Sequence, residues 1–277
     1  MMPEATRSDD APATSDGPLL TDRDGEVAIL TLNRAAARNS LSESLVDALA
    51  AAFETITPDR TVKAIVLTGA PPAFCAGHDL REMTEARSAG DRGRAYFERI
   101  FAKCSTVMQA IVACPKPVIA SVEGIATAAG CQLVATCDLA VAGESARFAT
   151  PGVNIGLFCS TPMVALTRNV SPKHAMEMLL TGDMVSAGRA EQIGLINKVV
   201  ATGDAMDSAM ALARQIAAKS PLTVRTGKKT FYRQREMPLA EAYAYTARIM
   251  TENMLARDAE EGIGAFLDKR TPQWTGE

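Results

Sequence analysis

Apolar and polar positions follow two different periods along the chain. Residues 27–32 alternate with the period of two that predicts a strand, which ends at Asn33. After Leu41 the apolar residues recur every three or four positions through Phe53, which predicts a helix with Ser42 as its N-cap. Short apolar runs closed by glycine or proline predict further buried strands, at 63–70, 118–124 and 138–143.

Strand, helix and glycine-containing turn follow one another repeatedly, which predicts a parallel or spiral α/β core over residues 19–204. Beyond 204 no strand pattern remains, and residues 205–277 are predicted to form a helical region with helices at 205–219, 239–254 and 260–267. Residues 1–18 are rich in Pro, Asp, Ser and Ala and are predicted to be a disordered tail.

Composition and charge exclude several classes of function. The net charge of −3 and the lack of a basic block argue against a nucleic-acid partner. No apolar run reaches the roughly 20 residues of a membrane-spanning helix. The two histidines are far apart in sequence, so no metal site is expected. The six cysteines form no C-x-x-C pair and lie among apolar residues, which favours reduced thiols and a cytoplasmic location.

Common catalytic motifs are missing from the sequence. It contains no G-x-S-x-G nucleophile elbow. The segment TGKKT after residue 225 has Leu222 where a phosphate-binding loop needs its first glycine. Gly262 and Gly264 follow an acidic helical segment rather than a strand, which argues against a dinucleotide site.

Two loops of small residues follow predicted strands, and both could present backbone N–H groups to a ligand. The first is FCAGHDL at 74–80, and the second is GIATAAGC at 124–131, which leads into a helix beginning near Ala129. A helix N-terminus offers unpaired N–H donors and a partial positive charge. Two such donors that converge on one oxygen form an oxyanion hole. The alternative is that these small residues only allow tight packing between strand and helix.

The motifs together resemble the crotonase superfamily, the enoyl-CoA hydratase/isomerase proteins, in order from about residue 19 to 273. The resemblance implies a spiral of ββα units with a helical C-terminal region that assembles as a homotrimer or a dimer of trimers. The segments that carry it are NRAAARNSL (33–41), FCAGHDLR (74–81), PVIASVEGIATAAGCQLVATCDL (117–139), FATPGVNIGLF (148–158) and FLDKRTPQ (266–273).

The resemblance also implies a site for an acyl-CoA thioester. The family's oxyanion-hole amides correspond to the backbone N–H groups of His78 and Ala129. CoA belongs to the substrate, so no separate cofactor is expected. The positions implied to contact CoA are Ala76, Asp79, Leu80, Arg81, Gly130, Phe266 and Lys269.

The chain departs from the family at both catalytic glutamates. Hydratases of this family are similar in using two glutamates to position water and move its protons, and those positions hold Gln132 and Gly152 here. One positioned acid or base contributes about 10²–10⁴ in rate. Four residues could take over proton transfer from the missing glutamates, and each of them also has a purely structural interpretation: His78, Glu123, Cys131 and Cys159.

Three functions follow from these residues. The first is an enoyl-CoA hydratase-like lyase of lipid metabolism that stabilises a thioester enolate, similar to the enoyl-CoA hydratase domain-containing subgroup that lacks both glutamates. The second is a decarboxylase of the methylmalonyl-CoA type, which needs the oxyanion hole but no base to remove a carbon-bound proton. The third is a catalytically weak scaffold that only binds acyl-CoA.

Overall fold

The computed structural model describes residues 17–277. The predicted disordered tail therefore lies almost entirely outside the described residues. Nine strands are present in this part: β1 (Leu19–Asp24), β2 (Val27–Leu32), β3 (Ala64–Gly69), β4 (Val118–Val122), β5 (Ile125–Thr127), β6 (Leu139–Gly143), β7 (Arg147–Ala149), β8 (Val185–Ser186) and β9 (Lys198–Val200).

Eleven α-helices alternate with these strands in the described chain and then continue alone to its end. Two short 3-10 helices cover Ala35–Ala37 and Pro151–Ile155. The α-helices are α1 (Glu43–Ile56), α2 (Leu80–Ala86), α3 (Arg94–Ala113), α4 (Ala129–Thr136), α5 (Ser160–Leu166), α6 (Pro172–Thr181), α7 (Ala187–Gln192), α8 (Ala205–Ala217), α9 (Pro221–Gln234), α10 (Leu239–Met254) and α11 (Arg257–Leu267).

The main sheet has the strand order β1-β2-β3-β4-β6-β9, and only β1 runs antiparallel to its neighbour. The apolar runs of the central strands are uninterrupted because helices cover both faces of the sheet. On one face, α8 packs its buried Ala209, Met210 and Ala213 against Val66 and Ile119. On the other face the larger core cluster includes the buried stripes of α1 and α3. The strands β5, β7 and β8 form a second sheet in that order.

The predicted α/β class is confirmed, and so are the strands that the apolar runs indicated. The predicted N-cap is also correct, since the Ser42 hydroxyl accepts a hydrogen bond from the Leu45 amide at 3.2 Å. Pattern analysis missed β1, whose last four residues are exposed and polar. It also missed α9, which is rich in Lys, Arg and Thr and has no fully buried residue.

A buried polar cluster fastens α9 to the core. The Lys228 ammonium donates to Asp138 Oδ2 at 2.7 Å and to the carbonyls of Ile111 and Lys116. The Tyr232 hydroxyl donates to Asp138 Oδ1 at 2.9 Å. This cluster explains how α9, which has no fully buried residue, is held in place. Its Lys228 and Tyr232 side chains both donate to the Asp138 carboxylate.

Large apolar side chains remain exposed on α10 and α11. Trimerisation of residues 205–277 stays a prediction, and this exposed apolar surface is available for it. The exposed residues are Leu239, Tyr243, Met250, Met254, Leu255, Ile263, Phe266 and Leu267.

Candidate active site

The two small-residue loops lie side by side as a short parallel pair. Cys75 forms a bridge with Ala126: its amide donates to the Ile125 carbonyl at 3.1 Å, and its carbonyl accepts from the Thr127 amide at 2.9 Å. The Thr127 hydroxyl then donates to the Ala76 carbonyl at 3.1 Å. This pairing brings the segments that carry His78 and Ala129 next to each other.

Both loops change backbone direction at the residue before the predicted donor. Gly77 has φ +94° and Ala128 has φ +50°, and both values lie in the left-handed region. The loops are in close contact there, because a Cβ on Gly77 would lie 2.9 Å from the Ala128 Cβ and 3.4 Å from the Ala129 nitrogen. A non-glycine residue with this backbone costs about 1–3 kcal/mol, a strain that concentrates at functional sites.

The amides of His78 and Ala129 are free to bind a ligand. Among residues 17–277 neither one donates to a protein acceptor, whereas the amides of Asp79 and Ala128 are paired. The Asp79 amide donates to the Leu41 carbonyl at 3.1 Å, and the Ala128 amide donates to the Ala149 carbonyl at 2.9 Å. Ala129 is also the first residue of α4, so its N–H lies at the positive end of the helix dipole.

A cavity of about 500 Å³ opens in front of these two residues. Within the described chain its wall has no Asp, Glu, Lys or Arg side chain, and its ionisable residues are His78 and Cys159. Such an apolar wall excludes water and strengthens hydrogen bonds made inside it. We call this the site cavity. Its lining residues are Ala76, His78, Leu80, Met83, Phe101, Ala128, Ala129, Pro151, Gly152, Asn154, Ile155, Leu157, Phe158, Cys159, Ser160, Thr161 and Pro162.

The imidazole of His78 is held neutral at physiological pH. Burial lowers its pKa to about 4, and the Leu41 backbone opposes this shift only weakly. Neither ring nitrogen has a partner in hydrogen-bond geometry within the described residues. The ring packs edge-on against Phe101, with 5.4 Å between the ring centroids. His78 therefore contributes a neutral ring to the cavity wall.

We expect the buried His78 to weaken the fold in acid. The unfolded chain binds this proton near pH 6.5 and the folded chain only near pH 4, so the free energy of unfolding should fall as the pH drops between these values. The loss is on the order of 3 kcal/mol at 1.36 kcal/mol per pKa unit. His78→Phe, which preserves the edge-on packing, should remove this part of the pH dependence in urea unfolding at pH 7 and pH 4.5. Equal pH dependence in both proteins would contradict the assigned burial.

The residues after His78 have separate roles. Leu80 lines the site cavity and is half-exposed, as is expected of a ligand contact. Asp79 does not line it: the carboxylate is buried, forms an ion pair with Arg34 at 2.8 Å and caps α2 through the Arg81 amide. Burial alone would raise the pKa of Asp79, but these partners hold it below its ordinary value. Arg81 is exposed and outside the cavity wall.

Of the other residues predicted to contact CoA, one lines the site cavity and three do not. Ala76 lines the cavity. Gly130 packs against the back of the first loop, where a Cβ would lie 2.1 Å from the Cys75 carbonyl oxygen, so it sets the distance between the loops rather than lining the cavity. Phe266, on α11, and Lys269, just beyond it, are exposed and do not reach the site cavity of their own chain.

Gln132 and Gly152, at the positions where related hydratases have glutamates, differ in whether they line the site cavity. Gly152 lines the site cavity. Gln132 lies on α4, one turn after Ala129, is buried and does not line the cavity, and its Oε1 has no hydrogen-bond partner among residues 17–277.

The other residues considered for proton transfer also differ in position. Glu123 lies outside the cavity wall and accepts hydrogen bonds from the amides of Gly203 and Ala205, so its role is structural. Cys131 is buried outside the wall, and burial raises the pKa of its thiol to about 12. Cys159 reaches the cavity, and burial raises the pKa of its thiol too.

Sequence reasoning missed most of the apolar wall. Ile155, Leu157 and Phe158 stand out in the sequence only as parts of the motif at 148–158. Met83, Phe101 and Pro162 have no distinguishing signal, because an apolar residue that lines a cavity has the same sequence pattern as one that packs in a core.

Comparison with known proteins agrees with the fold. The family model described as enoyl-CoA hydratase/isomerase matches residues 22–277. The chain is 46% identical over 248 residues to human enoyl-CoA hydratase domain-containing protein 3, mitochondrial, covering 90% of this chain and 80% of the human protein. It is 35% identical to Escherichia coli 2,3-dehydroadipyl-CoA hydratase over 93% of this chain and 98% of that protein.

Solved structures are similar over almost the whole chain. An enoyl-CoA hydratase from Mycobacterium smegmatis is 52% identical with a TM-score of 0.89, covering 94% of this chain and 99% of that one. The human domain-containing protein 3 structure is 43% identical with a TM-score of 0.88, covering 93% and 100%. Fold and sequence thus define a crotonase-fold protein of an acyl-CoA-binding family. The chain belongs to the enoyl-CoA hydratase/isomerase family.

One prediction from the sequence is contradicted by these relatives. The buried cysteines are free, as predicted. The inference from them to a cytoplasmic location conflicts with the human, rat and mouse relatives, which are named as mitochondrial proteins. Reduced, buried thiols do not distinguish between compartments in which thiols stay reduced. In the part of the chain that the structure describes, no helix is long and apolar enough to cross a membrane.

Proposed function

We propose that this chain is an enoyl-CoA hydratase-like lyase that binds the thioester carbonyl of an acyl-CoA between the amides of His78 and Ala129. The observation that supports it most strongly is that these two amides are unpaired, belong to loops that pack against each other, and come from residues that line one apolar cavity. When the α-carbon of a thioester gains negative charge, that charge moves to the carbonyl oxygen as an enolate. Two fixed donors stabilise this state more than the neutral substrate.

Proton transfer is the weak step of this site for hydration. Water must add its oxygen to the β-carbon and deliver a proton to the α-carbon. No carboxylate lines the cavity in the described chain, and the remaining ionisable groups are a neutral imidazole and a thiol with a raised pKa. Each missing acid or base is worth about 10²–10⁴. We therefore expect slow hydration with normal binding of the thioester.

Crotonyl-CoA tests this proposal in two measurements. Calorimetry should show saturable binding of the thioester, and the absorbance of the enoyl thioester should fall slowly in proportion to enzyme concentration. Binding without turnover of crotonyl-CoA or of the alternative substrate below would instead support a scaffold. Failure to bind would contradict the assigned site.

Decarboxylation is a second candidate reaction, and the lack of a carboxylate in the site cavity favours it. Loss of CO₂ from the α-carbon of a malonyl-type thioester leaves its electron pair as the same enolate, which solvent then protonates. No base is needed to start this reaction, and an apolar wall favours loss of a charged carboxylate. Methylmalonyl-CoA should release CO₂ above the background rate if this reaction is correct. An unchanged rate would exclude it.

We expect that a glutamate cannot simply be restored at Gly152. A Cβ at this position would lie 2.9 Å from the Leu157 carbonyl oxygen and 3.0 Å from Cys159 Sγ, and the backbone oxygen cannot move independently. Gly152→Glu should therefore lower the free energy of unfolding by about 1–3 kcal/mol and give no gain in hydration. Gly152→Ala is the control, because it adds only the Cβ and should account for most of the loss. A Gly152→Glu variant as stable as the wild type would contradict the predicted steric conflict.

A further inference from the structure

A second cavity, of about 520 Å³, lies at the amino-terminal ends of β3 and β4. The site cavity opens beyond the carboxyl ends of the central strands. The second one instead lies before β3 and β4, where Val62 and Lys116 line it, and extends to the junction between α8 and α9. Its volume falls within the range of about 300–1,000 Å³ that is usual for small-molecule sites. We call it the basic cavity.

Five cationic side chains line the basic cavity. Lys63 is neutralised by Glu26, with 2.7 Å between Nζ and Oε1. The other four form no ion pair with a carboxylate of residues 17–277, and we call them the four free cations: Arg60, Lys116, Lys219 and Arg225. Glu277 contributes the one acidic side chain of this wall, and its Oε2 is engaged by Arg257 at 3.0 Å. A concave surface lined by one sign of charge concentrates ions of the opposite sign.

Lys116 distinguishes this cavity from a solvated group of surface charges. The residue is only 7% exposed, and its ammonium has a single protein partner, the Thr57 carbonyl at 2.6 Å. Burial lowers the pKa of Lys116, and the charge of Asp59 opposes this shift only in part. A bound anion would satisfy the remaining N–H donors of this ammonium.

Part of the remaining wall is apolar and stiff. Pro58, Pro115 and Pro221 line it together with Val62 and Val224. Each proline ring fixes its own backbone φ, so this surface changes little on binding. The wall suits an uncharged portion of a ligand whose other end is anionic. We call the three prolines the proline wall.

We infer that the basic cavity binds a small phosphorylated ligand, with its phosphate groups among the four free cations and its uncharged part against the proline wall. Two arginines favour phosphate, because the planar guanidinium matches two phosphate oxygens at once. The site is separate from the thioester site and goes beyond the proposed function. The second ligand binds at the amino-terminal ends of the strands, and the proposed thioester site lies beyond their carboxyl ends.

The sole tryptophan of the chain reports on this site. The Trp274 indole donates to the Ala218 carbonyl at 2.9 Å, and both residues adjoin residues of the cavity wall, Thr275 and Lys219. Inorganic pyrophosphate should therefore change the tryptophan fluorescence in a saturable way at constant ionic strength. Since pyrophosphate has no acyl group, this result is independent of thioester binding.

A charge-reversal pair tests the assignment. Arg60→Glu/Lys219→Glu should weaken pyrophosphate binding about 100-fold or more, because two charge-assisted contacts are lost, and should leave crotonyl-CoA binding unchanged. Lys173→Glu/Lys229→Glu is the matched control, since it makes the same change of charge at exposed lysines outside this cavity. Equal affinity in the two double variants, or no fluorescence response in the wild type, would overturn the inference.

Discussion

An Ala129→Pro variant is expected to turn over acyl-CoA about 10²–10³ times more slowly than the wild type. Proline removes one N–H donor from the pair that holds the thioester oxygen, and the loss of one oxyanion-hole donor typically has this effect. The helix should persist, because Ala129 is the first residue of α4 and proline is well tolerated at that position. The rates to measure are crotonyl-CoA hydration and CO₂ release from methylmalonyl-CoA.

Ala129→Gly is the matched control for this experiment. Glycine also changes the side chain, but it keeps the backbone N–H, so its rate should remain close to that of the wild type. The proline variant should lose mainly kcat, because the missing hydrogen bond strengthens as charge develops on the oxygen. Equal rates in two folded variants would show that the Ala129 amide does not contact the reacting thioester.

Removal of the Asp138 carboxylate is expected to have the largest effect on stability. An Asp138→Ala variant should lose about 3–5 kcal/mol of unfolding free energy, because it leaves the Lys228 ammonium buried without its counter-charge. The Val118 amide and the Tyr232 hydroxyl also lose their acceptor. For a chain of this size the Tm should fall by roughly 10 °C. Thermal unfolding followed by circular dichroism measures this change.

An exposed ion pair provides the comparison. Glu98→Ala removes the partner of Arg94 on the surface of α3, and it should leave the Tm nearly unchanged because solvent screens that pair. Both variants remove one carboxylate, so a larger fall in Tm for Asp138→Ala reports the effect of burying its ion pair. A Tm for Asp138→Ala that matches the wild type would mean that α9 is held by other contacts.

Much of the fold could be predicted because its strands are buried on both faces. Uninterrupted apolar runs such as 64–69 are distinctive, and proline or glycine closes each one. The missed elements had no such signal. β8 has only two residues, and α9 is held by Lys228 and Tyr232, whose shared acceptor Asp138 is 90 and 94 positions away in sequence.

The candidate site was predictable only where backbone groups define it. Loops of small residues after strands indicated where backbone amides could approach a ligand, and the family resemblance assigned His78 and Ala129 within them. Side chains were less predictable. Asp79 lies next to the donor in sequence, yet its carboxylate turns to Arg34, and Gln132 is buried without lining the cavity. Which way a polar side chain turns depends on partners from distant segments.

The most direct measurement of the central claim is a crystal structure with a non-reactive acyl-CoA thioester analogue bound. The proposed function predicts one carbonyl oxygen within about 2.7–3.1 Å of the backbone nitrogens of both His78 and Ala129, with the acyl chain in the site cavity. A carbonyl held by other groups, or the two nitrogens bound to separate acceptors, would contradict it.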